Sequence, residues 1–225
     1  TFRGVAGFVA LLFFFYNISQ IPLGEAMTFS KTSTIFTAVL AYFLLKEKLG
    51  IKGWLGVFVG FIGIIFITEF DGSTLKKTDY LGILSGVGAA LAYTSVRELR
   101  KFYDSRAIVL SFMTIGTIGP LILMIVSSFY SNSSLDFMLG SFVMPQPDDW
   151  IYIILLGFFA TFAQIYMTKA YSFAKAGIIG TISYSNILFS IILGLILGDN
   201  FPSILIVFGI LLIILSGLLV SSKKE

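Results

Sequence analysis

The residues best placed to do chemistry are polar groups inside long apolar runs. Lys31 lies about six residues into the run Ala26–Leu45, too deep for its ammonium to reach water easily by snorkelling. A charge there is costly and faces a cavity or a partner. On a helix Lys31, Thr34 and Ala38 share one face. The chemistry this suits is recognition of an anionic group such as a carboxylate or phosphate. The structural alternative is a pair with Glu25 or a nearby carbonyl. Glu25 opens the same run. Its ordinary role is a carboxylate on a positive helix N-terminus, and its sharper one is proton coupling or gating. Asn17 and Gln20 share a face of the first run, and Thr161, Gln164 and Thr168 share a face of a later one. These either bind solute or hydrogen-bond helix to helix. Asn186 and Tyr184 complete the candidate set, Tyr184 as an aromatic wall for a solute or as a core aromatic.

Bond-making chemistry finds little support. The chain has neither His nor Cys, so the commonest general base, thiolate nucleophile and metal ligands are missing. Carboxylates do not cluster inside the apolar runs. No Gly-x-x-x-x-Gly-Lys-Ser/Thr segment occurs, which argues against ATP drive within this chain. The sequence therefore points to no enzyme, no metal and no cofactor. The net charge of +3 does not indicate nucleic acid, because the basic residues lie between apolar runs.

Those residues need a lipid-embedded scaffold. Of the 225 residues 57% are hydrophobic and 12% charged, against about 25% charged in soluble domains. About eight runs are long and apolar enough to span a bilayer: Gly4–Ile21, Ala26–Leu45, Ile51–Thr68, Tyr80–Val96, Ala107–Phe129, Ile151–Thr168, Gly177–Leu197 and Pro202–Val220. They are continuous rather than alternating, which predicts helices and not barrel strands. Arg3, Lys46, Lys48, Lys52, Arg97, Arg100, Lys101, Arg106, Lys169, Lys175, Lys223 and Lys224 then fall on one side, against Lys76 and Lys77 on the other. That asymmetry predicts a multi-pass protein of a bacterial-type inner or plasma membrane with a cytoplasmic C-terminus. The basic cluster at Arg97, Arg100, Lys101 and Arg106 reads as topology and attraction to anionic lipid. Pro120 predicts a kink in the fifth run.

Two stretches repeat one another. Setting Glu47 against Asp199 aligns the preceding runs without a gap and sets Lys31, Thr34 and Ala38 against Ser183, Asn186 and Ser190. By the charge pattern the two copies cross the membrane in opposite directions, an inverted repeat with a solute site expected near the midplane. Each copy ends in a helix rich in small residues. Gly53, Gly56, Gly60 and Gly63 suit close helix packing within one bundle, with homodimerisation the weaker reading.

The chain resembles the EamA-type families of the drug/metabolite transporter superfamily. The likeness rests on Arg3-Gly4, the corner from Tyr16 through Ile21-Pro22-Leu23-Gly24-Glu25-Ala26, the segment Leu44-Leu45-Lys46-Glu47-Lys48-Leu49 and the helix Gly53–Gly63. Ala170-Tyr171 and Leu195…Gly198-Asp199 repeat it more loosely. The resemblance implies an all-α bundle of ten helices in two halves, of which the first two are missing here. It divides the chain into a first repeat at 1–69, a linker at 70–79 and a second repeat at 80–222. It implies a secondary transporter, an exporter or exchanger of small polar metabolites. The alternative is a structural or lipid-modifying membrane protein without a solute.

Overall fold

The computed structural model describes residues 2–44, 46, 49–69, 75–99, 102–130, 132, 135–173 and 183–221, apart from some side chains within them. These residues form helices α1 (Phe2–Gln20), α2 (Leu23–Lys31), α3 (Ser33–Leu44), α4 (Ile51–Ile67), α5 (Lys77–Leu99), α6 (Ser105–Ser127), α7 (Asp149–Phe173), α8 (Ser185–Leu197) and α9 (Ile204–Ser221), with no strand among them. Segments Phe2–Gln20, Ala107–Ser127 and Ile204–Ser221 are each long and apolar enough to cross a membrane on length and composition. The chain is a polytopic helical membrane protein, as its runs predict. α6 continues through Pro120.

One expected span is not a single helix. The run Ala26–Leu45 is split at Thr32 into α2 and α3. Together the two pieces rise roughly 30 Å, enough to cross the apolar core.

Small residues set how closely the helices approach. α4 and α9 pack antiparallel: the Ser216 hydroxyl donates to the Gly56 carbonyl at 2.7 Å, and Gly63 lies against Gly209. The Gly56–Gly63 face is thus spent inside the bundle, the stronger of the two sequence readings. α1 packs on α5, where the Ser85 hydroxyl donates to the Ala10 carbonyl at 2.9 Å and the Asn17 amide to the Thr78 carbonyl at 2.9 Å. α6 covers the other side of α1, and α2 packs on α8. Phe29, Ile35, Ile187 and Ile213 form the most deeply buried part of the core. By contrast, residues 149–163 of α7 are exposed throughout.

The long loop after α6 is tied back to α1 and α5. Asp136 accepts hydrogen bonds from the Lys77 ammonium and, at 3.3 Å, from the Tyr16 hydroxyl. The Lys77 ammonium also lies 5.2 and 5.3 Å from the ring centres of Tyr16 and Phe137. The Lys77 hydrogen bond holds the Asp136 carboxyl below the usual carboxylate range. Trp150 and Tyr152 are exposed at the start of α7, where an interfacial aromatic belt would hold them.

A methyl group added at Gly60 would lie 2.4 Å from Ile35 Cδ1 and 2.5 Å from Ser216 Oγ, whereas one at Gly157 meets nothing within 4 Å. Gly60→Ala is therefore expected to destabilise the protein by about 1–3 kcal/mol. Gly157→Ala should be neutral or stabilising by up to about 1 kcal/mol. Unfolding in detergent, followed by helical circular dichroism, separates the two; equal effects would contradict the packing of α4.

Candidate functional site

The helix break at Thr32 is built from hydroxyl groups. Thr32 keeps a right-handed conformation (φ −61°, ψ −19°), and its N–H donates to the Phe29 carbonyl at 3.1 Å. Its hydroxyl donates to the Phe29 carbonyl at 2.6 Å, and that of Thr28 to the Gly24 carbonyl at 2.6 Å. Threonine hydroxyls that bond back along a helix bend it, and the backbone stays paired through the break, with the Ile35 and Phe36 N–H groups reaching the Thr32 carbonyl at 2.9 and 3.2 Å. α5 supports the break from the side. A methyl group at Gly86 would sit 2.2 Å from the Thr32 hydroxyl oxygen, and one at Gly82 would meet Phe29 at 2.5 Å.

Lys31 is the residue just before this break. It is half-buried in the last turn of α2, where the negative end of the helix dipole favours an ammonium. No described residue forms a salt bridge or hydrogen bond with it; the sole ion pair among them is Lys77 with Asp136. The pairing with Glu25 weighed on sequence grounds is not formed.

Tyr184 holds the equivalent position in the second half. The offset that sets Glu47 against Asp199 also sets Thr32 against Tyr184, and Tyr184 has nearly the same backbone angles (φ −69°, ψ −19°) ahead of α8. Its ring is buried, 4% exposed, against Gly217 of α9, where an added methyl group would fall 1.8 Å from the hydroxyl. The Thr34 hydroxyl lies beside it, yet the Tyr184 hydroxyl closes no well-formed hydrogen bond with a described residue. The Thr37 hydroxyl, one turn along α3, is also buried without a partner. Buried hydroxyls are almost always satisfied, and these two have no hydrogen-bond partner among the described residues.

Of the sequence candidates, then, the structure brings Thr34 and Tyr184 together beside the break that carries Lys31. Asn17 and Gln20 part company. Asn17 is 1% exposed and tied to α5, while Gln20 is exposed and reaches only Ser19 at 3.3 Å. Asn186 is exposed on α8. The side chains of Gln164 and Thr168 lie outside the described residues. Sequence reasoning passed over Thr32, Thr37 and the Gly82–Gly86 face; the small-xxx-small spacing of the last was the available signal.

Glu25 occupies the first turn of α2. The like charges of Glu69, Asp79 and Asp199 and the opposite charge of Lys76 face it. Three of these carboxylates have structural tasks. Asp79 accepts from the Lys76 N–H at 2.9 Å, Glu69 from the Ser203 hydroxyl, and Asp199 from the Leu23 N–H at 2.8 Å. The last joins the two halves. Gly198 ends α8 in a left-handed conformation (φ 102°) and turns the chain so that the Asp199 carboxylate meets the start of α2.

The description "EamA-like transporter family" fits residues 1–69 and 76–222. An uncharacterized transporter of Helicobacter pylori is 36% identical over 221 residues, covering 98% of this chain and 72% of that protein. The pseudopaline exporter CntI of Pseudomonas aeruginosa is 26% identical over 225 residues, 99% of this chain and 74% of that protein. The S-adenosylmethionine uptake transporter of Rickettsia prowazekii is 23% identical over 225 residues, 99% and 72% respectively. No solved structure matches the chain.

Replacing Asp199 by Ala removes the cap on α2 and is expected to cost about 1 kcal/mol of stability, with Asp199→Asn intermediate. Chemical unfolding of the three proteins measures this, and an unchanged midpoint for Asp199→Ala would mean that the cap carries no weight.

Proposed function

The chain belongs to the EamA-like transporter family, whose members are transporters and not enzymes, and from that premise we propose that it carries a small polar metabolite with an anionic or zwitterionic group. Lys31 carries this reading. It is a half-buried ammonium without a carboxylate partner among the described residues, one position before a helix break. An interrupted helix at the meeting of two inverted halves is a recurrent way to expose polar groups at mid-membrane depth. Lys31 would bind the anionic group, and Thr34 and Tyr184 would hydrogen-bond the remainder of the solute. Glu25, the carboxylate at the outer end without a structural hydrogen bond among the described residues, is the candidate for gating or proton coupling.

The halves 1–69 and 80–222 would rock against one another about the α4–α9 seam, opening the site to each side in turn. The drive would come from solute gradients rather than from ATP, and the direction we favour is export or exchange. One relative is named an exporter and another an uptake transporter, so direction does not follow from kinship. The charge pattern supports a plasma-membrane orientation with the C-terminus inside. Homodimerisation, if it occurs, would use a surface other than Gly56–Gly63.

The test is solute exchange in proteoliposomes with a panel of anionic, zwitterionic and cationic metabolites. Lys31→Met should reduce exchange of the preferred anionic or zwitterionic solute by at least about tenfold, as expected for loss of a charged hydrogen bond. Tyr184→Phe should raise KM about fivefold through loss of one neutral hydrogen bond, while leaving unfolding unchanged or slightly improved. Wild-type KM in both variants would refute the assignment of the site; failure of every solute to exchange would refute transport by this chain.

A further inference from the structure

A cavity of about 740 Å³ lies at the opposite end of the bundle from Glu25, among the start of α1, the end of α3, the inner half of α5 and the start of α6. It shares no lining residue with the Lys31 site. Most of its wall is apolar, including Phe2, Leu44, Leu91 and Ile108, and its volume lies within the range of small-molecule sites. Two polar residues stand out on this wall.

Arg3 is fixed at the rim. One guanidinium nitrogen donates to the Ile108 carbonyl at 2.8 Å, and the group lies 5.3 Å from the centre of the Phe112 ring. A guanidinium has five N–H donors in a planar fork, so this contact orients the group and leaves donors for a carboxylate or phosphate. Thr94 is 3% exposed, and its hydroxyl has no hydrogen-bond partner among the described residues. An unsatisfied hydroxyl is costly in an apolar wall unless something occupies the cavity and meets it.

We propose that this cavity binds an amphipathic anion. The acidic head lies on Arg3, an uncharged oxygen or hydroxyl meets Thr94, and the hydrocarbon body runs along Leu91 and Ile108. Such a ligand has two sources: an anionic phospholipid entering from the adjoining leaflet, or a free single-chain carboxylate. Neither strongly polar solutes nor bare anions suit so apolar a wall. The site is independent of the transport reading, since a ligand here can regulate or stabilise the bundle whether or not a solute binds at Lys31.

The test is thermal unfolding of the purified protein in detergent, titrated with dioctanoyl phosphatidylglycerol, dioctanoyl phosphatidylcholine, laurate and glycerol 3-phosphate. Saturable stabilisation by phosphatidylglycerol is expected if lipid is the source, and by laurate alone if it is a free amphiphile. In either case phosphatidylcholine and glycerol 3-phosphate should bind at least tenfold more weakly. Thr94→Val should raise the melting temperature of the ligand-free protein, by removing the unsatisfied hydroxyl, yet weaken the ligand several-fold. Leu91→Trp, which fills the cavity, should abolish binding, and Arg3→Gln should remove the preference for anions. Should Arg3→Gln fail to fold, the opposed effects of Thr94→Val still decide the matter. Equal stabilisation by phosphatidylcholine, equal binding of glycerol 3-phosphate, or unchanged titrations in Thr94→Val and Leu91→Trp would overturn the proposal.

Discussion

A helix that stops in the middle of a membrane must satisfy its own backbone, because lipid offers no hydrogen bonds. That constraint governs the arrangement around Thr32. The threonine hydroxyls bond to the Gly24 and Phe29 carbonyls, and the interrupted turn lies where Gly82 and Gly86 let α5 come closest. Bulkier residues on α5 would push the break outward and open its carbonyls to lipid. The same interruption makes Lys31 tolerable. An ammonium at the end of a short helix meets the negative end of the dipole, whereas mid-helix it would meet only apolar neighbours. Helix break, glycine face and buried lysine are therefore one feature, and each is costly without the other two.

The rest of the bundle holds α3 and α8 in place. α4 and α9 are the helices that follow them, and they cross antiparallel through Gly56, Gly63, Gly209 and Ser216 at distances that admit no side chain. Larger side chains interlock beside it, Ile67 against Gly209, Ile213 against Gly63 and Phe66 against Phe208. α1 is covered by α5 and α6. By contrast, residues 149–163 of α7 are exposed on every side.

Much of this was legible in the residues. Continuous apolar runs separated by charged links identify helices, because lipid rewards nothing else. The Gly53–Gly63 spacing identified a close contact, which Gly56, Gly60 and Gly63 make with α9 and α3. Three things were hidden. The break at Thr32 leaves no mark on hydropathy, since serines and threonines that hydrogen-bond to their own helix read as ordinary mid-span residues. Asn17 and Gln20, three positions apart, share a face by periodicity, but only Asn17 lies opposite a free carbonyl, that of Thr78. Asp199 reads as a turn residue after α8, and its partner Leu23 is 176 positions away, beyond any local rule.

That last contact bears on how the two ends of the bundle differ. Glu25, Glu69, Asp79 and Asp199 gather at one end, and like charges at such depth repel unless hydrogen bonds hold them. Three are held by helix-start N–H groups or by the Ser203 hydroxyl, and two of these contacts also tie α8 to α2 and α4 to α9. At the far end α1 is tied to α6 by the Arg3 guanidinium on the Ile108 carbonyl, beside the cavity that Arg3 lines. The Asp199 hydrogen bond ties the end of α8 to the start of α2 across 176 positions, so the two ends of the bundle are held by different chemistry: carboxylates on N–H and hydroxyl donors at one, a guanidinium on a carbonyl at the other.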